Sequence, residues 1–286
     1  MVDTVKLSVF HWVQTQSERL FGNVVEAFEH LFATAQQELK AAFVQHFPDC
    51  SGRGGYMVNR VTGDLIRGGT TMTVCALVHG KVYTANVGDS LAVVVSEQAM
   101  TAGAIKNLGT GEIYTPTLNQ RVTLVCADHD PSNAKELQRL KGTLLCPLYE
   151  QLDTARKGTP IESGSKGHYY KNVRQEWATV VAPIDQPFSD TLSMTRSLGD
   201  FYLQTLGLLC KPEVFEYTPV GRFALLIATD GVWDNFLFPE MSAWVDFEKP
   251  ANHNVSALLE ENRVRATRNF GESRDNATAI LFQNCG

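Results

Sequence analysis

The sequence predicts an α+β protein, an antiparallel β-sandwich flanked by helices, and three observations carry that expectation. A long stretch near the N-terminus repeats its apolar residues every three or four positions, as a helix lying on a sheet does. The next stretch changes to short β-rich runs broken by tight turns. Later, the continuous apolar run Phe223–Thr229 reads as a buried strand, and helical patterns and a last strand follow it. With 286 residues and 44% apolar composition, the chain has enough material for a sizeable core, and it reads as a single domain over residues 1–286.

Residues 15–47 read as one amphipathic helix, interrupted near Gly22. Leu20, Val24, Phe28, Leu31, Ala35, Leu39 and Phe43 form its apolar stripe. Thr15 and Glu18 have the spacing of a capping box, and Pro48 stops the pattern. Residues 48–69 are glycine-rich and read as an irregular loop, without the Lys and Ser/Thr of a phosphate-cradling P-loop. Thr71–Val78, Lys81–Asn86 and Leu91–Val95 read as strands. His79-Gly80 and Gly88-Asp89-Ser90 separate them, and connections this short pair neighbouring strands antiparallel. Arg121–Ala127 is a further strand, followed by a short helix over Asn133–Lys141. Residues 151–176 are polar and read as a long surface loop. Pro239–Asp246 and Val255–Phe270 read as helices, and Ala277–Gln283 as the last strand.

Composition excludes several classes. A net charge of -6 supplies no overall basic face for nucleic acid. The apolar run Phe223–Ala228 falls far short of the roughly 20 residues of a membrane span. None of the 6 cysteines forms a C-x-x-C pair or a zinc spacing, which suits idle thiols in the reducing cytoplasm or nucleus.

The common catalytic signatures are missing: no H-E-x-x-H, no G-x-S-x-G and no Rossmann glycine pattern occurs. What remains is aspartate at strand ends. Asp89 lies in the Gly-Asp-Ser turn, Asp230 ends the apolar run and precedes Gly231, Asp234 follows four residues on, and Asp275 precedes the last strand. A carboxylate at the edge of a core is costly unless it is paired or bound to metal. If the strands at 71–95, 223–229 and 277–283 share a sheet, these acids converge, and a hard divalent cation relieves their repulsion. Such a centre suits phosphate-ester hydrolysis. His129, among acids after a strand, reads as structural.

Read in order, these segments resemble the metal-dependent protein phosphatases of type 2C, the PPM family. Gly69-Thr70-Thr71 and Ala85-Asn86-Val87-Gly88-Asp89-Ser90-Leu91-Ala92-Val93 are similar to the family's G-S/T-T/A and A-N-x-G-D-S-R-A-V, with Leu91 in place of its Arg. Asp128-His129-Asp130-Pro131 with Glu136 and Arg139 resembles D-H-x-P…E…R-I. Leu192–Asp200 is similar to L-A-V-S-R-S/A-L-G-D, and Pro212-Glu213-Val214 to P-E-V. Leu226–Asp234 resembles L-A-C/T-D-G-L/V-W-D, and Ser273–Thr278 resembles S-x-D-N-M/A-T. The resemblance implies a two-sheet sandwich with its metals in a cleft at one end. It implies Mg²⁺ or Mn²⁺ as a core pair on Asp230 and Asp275. A further, weaker ion would involve Asp89 and Asp234, and Gly231 is counted with the metal set. It also implies a metal-activated water that attacks phosphoserine or phosphothreonine of a protein substrate, in a monomer that binds neither nucleic acid nor membrane. By the same resemblance the loop at 151–176 is where substrate selectivity would sit.

One departure qualifies this. The family's opening strand and its D-G-H-G-G, source of the bridging Asp and the proton-transfer His, have no counterpart in the sequence, whose sole Asp-Gly is Asp230-Gly231. No catalytic residue is therefore assigned, and the domain reads as N-terminally incomplete, with an exposed sheet edge expected. The alternative function is a pseudophosphatase, a partner-binding module without turnover.

Overall fold

The structure, a computed structural model, describes residues 2–47, 50–53, 56–99, 104–114, 121–149, 172–174, 176, 179–187 and 190–284. Helix α1 (Val2–Gln16) leads through a 3-10 turn at Ser17–Phe21 into helix α2 (Val24–His46). Strands β1 (Met72–Val78), β2 (Lys81–Val87), β3 (Leu91–Ser96), β4 (Ile105–Asn107), β5 (Ile113–Tyr114) and β6 (Val122–Leu124) follow. Then come helix α3 (Ala134–Leu140), strands β7 (Glu213–Tyr217) and β8 (Phe223–Ala228), and the single helical turn α4 (Asp230–Trp233). Helix α5 (Ala251–Phe270) and strand β9 (Ala279–Asn284) close the order.

These strands make two antiparallel sheets, one of order β1-β2-β7-β4-β5 and one of order β9-β8-β3-β6. They pack face to face. Val82, Phe215 and Tyr217 of the first sheet share a core with Val94 and Leu225 of the second. On the outer side of the first sheet, Phe28, Leu31 and Leu39 of α2 pack with Met72, Ala85 and Val214. On the outer side of the second, Leu258 of α5 joins the core that contains Trp233. The expected sandwich flanked by helices is therefore the observed one. Among the described residues, no helix is long and apolar enough to cross a membrane.

Several local expectations change. The predicted helix over 15–47 begins only at Val24, where Asn23 caps it by accepting from the Glu26 amide at 3.2 Å. Thr15 instead donates to the His11 carbonyl at 2.9 Å inside α1. Helix α1 itself escaped the sequence reading, although Val5 and Trp12 lie on one helical face and both are buried. The glycine-rich loop contains a short hairpin, Cys50–Arg53 with Tyr56–Asn59. The segment read as helix over Pro239–Asp246 is a 3-10 turn, Phe238–Glu240, and a short helix, Met241–Trp244.

The most consequential change concerns β2 and β3. They do not pair across Gly88-Asp89-Ser90: β2 belongs to the first sheet and β3 to the second. Gly88 makes the crossing, with φ of 96° and no room for a Cβ beside Thr71. By contrast, His79-Gly80, both at positive φ, closes the expected β1–β2 hairpin. Most of the loop at 151–176 lies outside the described residues. Strand β9 ends the second sheet, and its Ile280 and Phe282 are exposed.

Candidate active site

Strand register brings the candidate acids to one end of the second sheet. Ala228 pairs with Leu91 on one side and with Ala279 on the other. Asp89 thus stands just before β3, Asp230 just after β8, and Asp275 shortly before β9, all at the same end. Backbone pairing continues into the turn: the Thr229 amide donates to the Thr278 carbonyl at 3.1 Å, and the Thr278 amide to Thr229 Oγ1 at 3.1 Å. Gly231 lies against this junction, and a Cβ on it would collide with the Asn276 carbonyl oxygen. Trp233 pins α4 from inside, its Nε1 donating to the Ala228 carbonyl at 2.7 Å and to the Leu91 carbonyl at 3.2 Å.

The side chains follow from these turns. Asp230 Oδ1 accepts from the Gly231 amide at 2.8 Å, and Asp275 Oδ1 from the Asn276 amide at 2.7 Å. Asp89 is buried and Asp275 exposed, with Asp230 and Asp234 between these extremes. Asp89 Oδ2 and Asp234 Oδ1 are shielded from solvent. So is Asp128 Oδ1. Asp128 belongs to this neighbourhood because the next amide, that of His129, donates to the Gly88 carbonyl at 3.3 Å. In the sequence, Asp128 stands out only as part of Asp128-His129-Asp130-Pro131.

Behind the Asp89 turn lies a buried polar chain. His129 Nδ1 accepts from the Gly88 amide at 3.1 Å, so Nε2 carries the proton and donates to Glu213 Oε2 at 3.2 Å. Burial lowers the His129 pKa, a shift the Glu213 hydrogen bond opposes without reversing. Glu213 also accepts from Asn107 Nδ2 at 3.0 Å. Glu136 is held by Arg196, whose Nη2 lies 2.6 Å from Oε1, by Arg139 and by Thr195. The structural reading of His129 is the observed one: it fastens a turn.

The donors at this end are hard oxygens, the chemistry that Mg²⁺ and Mn²⁺ prefer. Among the described residues, no three His, Cys, Asp or Glu side chains stand close enough to hold an ion together. The set fits a hydrated cation on one or two carboxylates and does not fit a closed three-carboxylate cage. Gly231, counted with the metal set by resemblance, is engaged inside the chain. Its carbonyl oxygen accepts from Asn235 Nδ2 at 3.2 Å and Asn262 Nδ2 at 3.0 Å, so both lone pairs are engaged. The residues the sequence reading missed are those asparagines and Arg174, which donates from Nη1 to the Trp233 carbonyl. Beside it, the Val173 amide donates to the Asp234 carbonyl at 3.0 Å. No spacing rule links Asn262 or Arg174 to the acids.

Known proteins share this architecture. A family model for protein phosphatase 2C matches residues 10–145. Human protein phosphatase 1J is 27% identical over 252 residues, covering 77% of this chain and 45% of its own length. The probable protein phosphatase 2C 12 of Oryza sativa subsp. japonica is 29% identical over 217 residues, covering 74% of this chain and 45% of its own. A solved serine-threonine phosphatase 2C from Toxoplasma gondii superposes with a TM-score of 0.58 at 18% identity, covering 98% of this chain and 78% of that one. A C. elegans sex determining protein superposes at 0.54 with 13% identity, covering 97% of this chain and 50% of that one. The fold is that of the type 2C phosphatases. In sequence, the chain is similar to type 2C protein phosphatases, with the family match confined to residues 10–145. It spans less than half the length of the curated relatives named here.

Proposed function

We propose that the chain contributes to metal-dependent hydrolysis of phosphoserine and phosphothreonine in proteins, at the end of the sandwich that carries Asp230 and Asp275. The observation that carries this reading is the register Leu91–Ala228–Ala279, which gathers separate acid-bearing turns at one sheet end. Mg²⁺ or Mn²⁺ would be held there by Asp230 and Asp275, with Asp89 and Asp234 near it, and would supply an activated water and offset phosphoryl charge. The chain's own part is to fix the acids. The Gly231 and Asn276 amides anchor the Asp230 and Asp275 carboxylates, and Trp233 holds α4 against the strands. The phosphatase relatives support a phosphoprotein substrate. No residue is proposed as the general acid.

The test is hydrolysis of a small aryl phosphate by the folded chain, with and without millimolar Mn²⁺. Metal-dependent turnover that is lost in Asp230→Ala and Asp275→Ala is the expected result. A folded chain without turnover overturns the reading as an activity of this chain. The second reading, a pseudophosphatase that binds a phosphoprotein, is favoured by the incomplete donor set among the described residues. It gains if that inactive chain binds a phosphopeptide better than the unphosphorylated peptide.

A further inference from the structure

The turn that carries Asp230 and Asp234 is fastened from behind by an asparagine ladder on α5. Gly231 O accepts from both Asn235 and Asn262. Asn235 Nδ2 also donates to Asn262 Oδ1 at 3.2 Å, and Asn269 Nδ2 donates to Asn235 Oδ1 at 3.1 Å. Asn262 and Asn269 are seven residues apart, two turns along one helical face, and all three asparagines are buried. Outside the ladder, Arg265 Nη1 donates to the Asn235 carbonyl at 3.3 Å.

This is an expensive way to pack a helix. Asparagine is a weak helix former, and burying amides costs free energy unless every group is satisfied. One turn earlier on α5, Leu258 does the same packing with apolar contacts alone. What the amides add is direction. The Gly231 carbonyl is fixed on one side by the ladder, and the glycine is confined on the other by the Asn276 carbonyl. The amide of the same glycine anchors Asp230 Oδ1. Orientation of the glycine therefore passes to the carboxylate.

We propose that Asn262 is a positioning residue for Asp230, acting through Gly231. The link to a bound cation rests on the phosphatase reading above, whereas the link to the glycine does not. The test compares Asn262→Asp with Leu258→Ala in the full chain. Ionised aspartate keeps the shape and the acceptor for Asn235 but has no donor for Gly231 O. Leu258→Ala destabilises the same helix without touching the ladder. Exchange of the Gly231 amide, followed by NMR, and Mn²⁺ affinity, followed by titration calorimetry, are read on both. Asn262→Asp is expected to speed that exchange and to weaken Mn²⁺ binding by about 10-fold or more. Leu258→Ala should lower Tm and leave both readouts within about twofold. Unchanged Gly231 exchange in Asn262→Asp overturns the proposal, as does an equal effect of Leu258→Ala. If the wild-type chain binds no Mn²⁺, the metal reading falls, and amide exchange still decides the positioning role. Asn262→Ser, smaller and uncharged, gives the same comparison if the aspartate prevents folding.

Discussion

Glu136→Gln tests how much of this fold hangs on one buried carboxylate. Glu136 is 2% exposed. It accepts from Arg196 Nε at 3.2 Å and Nη2 at 2.6 Å, from Arg139 Nη2 at 2.7 Å and from Thr195 Oγ1 at 2.5 Å. Burial alone would raise its pKa; these donors outweigh burial and hold it well below the ordinary carboxylate range. Glutamine keeps the volume and removes the charge, leaving the Arg196 guanidinium with Glu213 at 3.8 Å. Breaking a buried pair from one side costs about 3–5 kcal/mol. The second carboxylate puts the expected loss near the lower end, about 3 kcal/mol. A chain of this size unfolds with an entropy of about 0.6 kcal/mol/K, so Tm should fall by about 5 °C at neutral pH. The pH dependence has a fixed sign. Because the folded pKa is depressed, the stabilisation is complete above the unfolded value near 4.5 and disappears as pH falls through the folded one. The gap between wild type and variant should therefore close on acidification below about pH 4.5. Calorimetric melts at pH 7 and in steps down to pH 3 measure it. A fall below about 1 °C at pH 7, or a gap indifferent to pH, refutes the reasoning.

Three further outcomes are expected. His129→Asn places an amide oxygen where Nδ1 accepts from Gly88, whereas His129→Gln keeps only the reach toward Glu213; denaturant midpoints should favour Asn over Gln by about 1 kcal/mol. Because burial lowers the folded His129 pKa, the wild type should lose stability as pH falls below about 6.5, a loss absent from His129→Asn. Gly231→Ala should cost about 1–3 kcal/mol, since its Cβ meets the Asn276 carbonyl, while Gly142→Ala, which opens on empty space, should be nearly neutral in the same melts.

The strands that bear acids were legible because their physics is local. Phe223–Ala228 is apolar throughout and is followed by Thr229 and Asp230, and β8 spans that apolar run. The β1–β2 hairpin follows from His79-Gly80. The crossing at Gly88 was not legible, since a tight turn and a sheet-to-sheet bend use the same glycine, and only the partners of β3 decide between them. Strands such as β7 were missed because Glu213 and Glu216 break the apolar pattern. In the fold, Glu213 serves His129 and Glu216 pairs with Lys81 at 3.0 Å. At the site, the motifs name Asp89, Asp230, Asp234 and Asp275, and the strand register sets their turns at one sheet end. The supports were hidden because contacts such as Asn262 to Gly231 span 31 residues and obey no spacing rule.

Those supports share a pattern that bears on what this end of the molecule is for. The core away from it is built from apolar residues such as Val93, Val95 and Leu226, which need no partners. Near the acids, burial becomes polar. One network runs from Glu136 through Arg196 and Glu213 to His129 and ends on the Gly88 amide. The other runs from Asn269 through Asn235 and Asn262 and ends on the Gly231 carbonyl. Apolar residues of similar volume often serve stability as well or better at such positions. Both networks terminate on the backbone of turns that carry candidate acids, Asp89 in one case and Asp230 in the other. A scaffold selected for stability alone has no reason to direct its costly buried polar groups to two turns at one sheet end. A site that must hold carboxylates in fixed directions does.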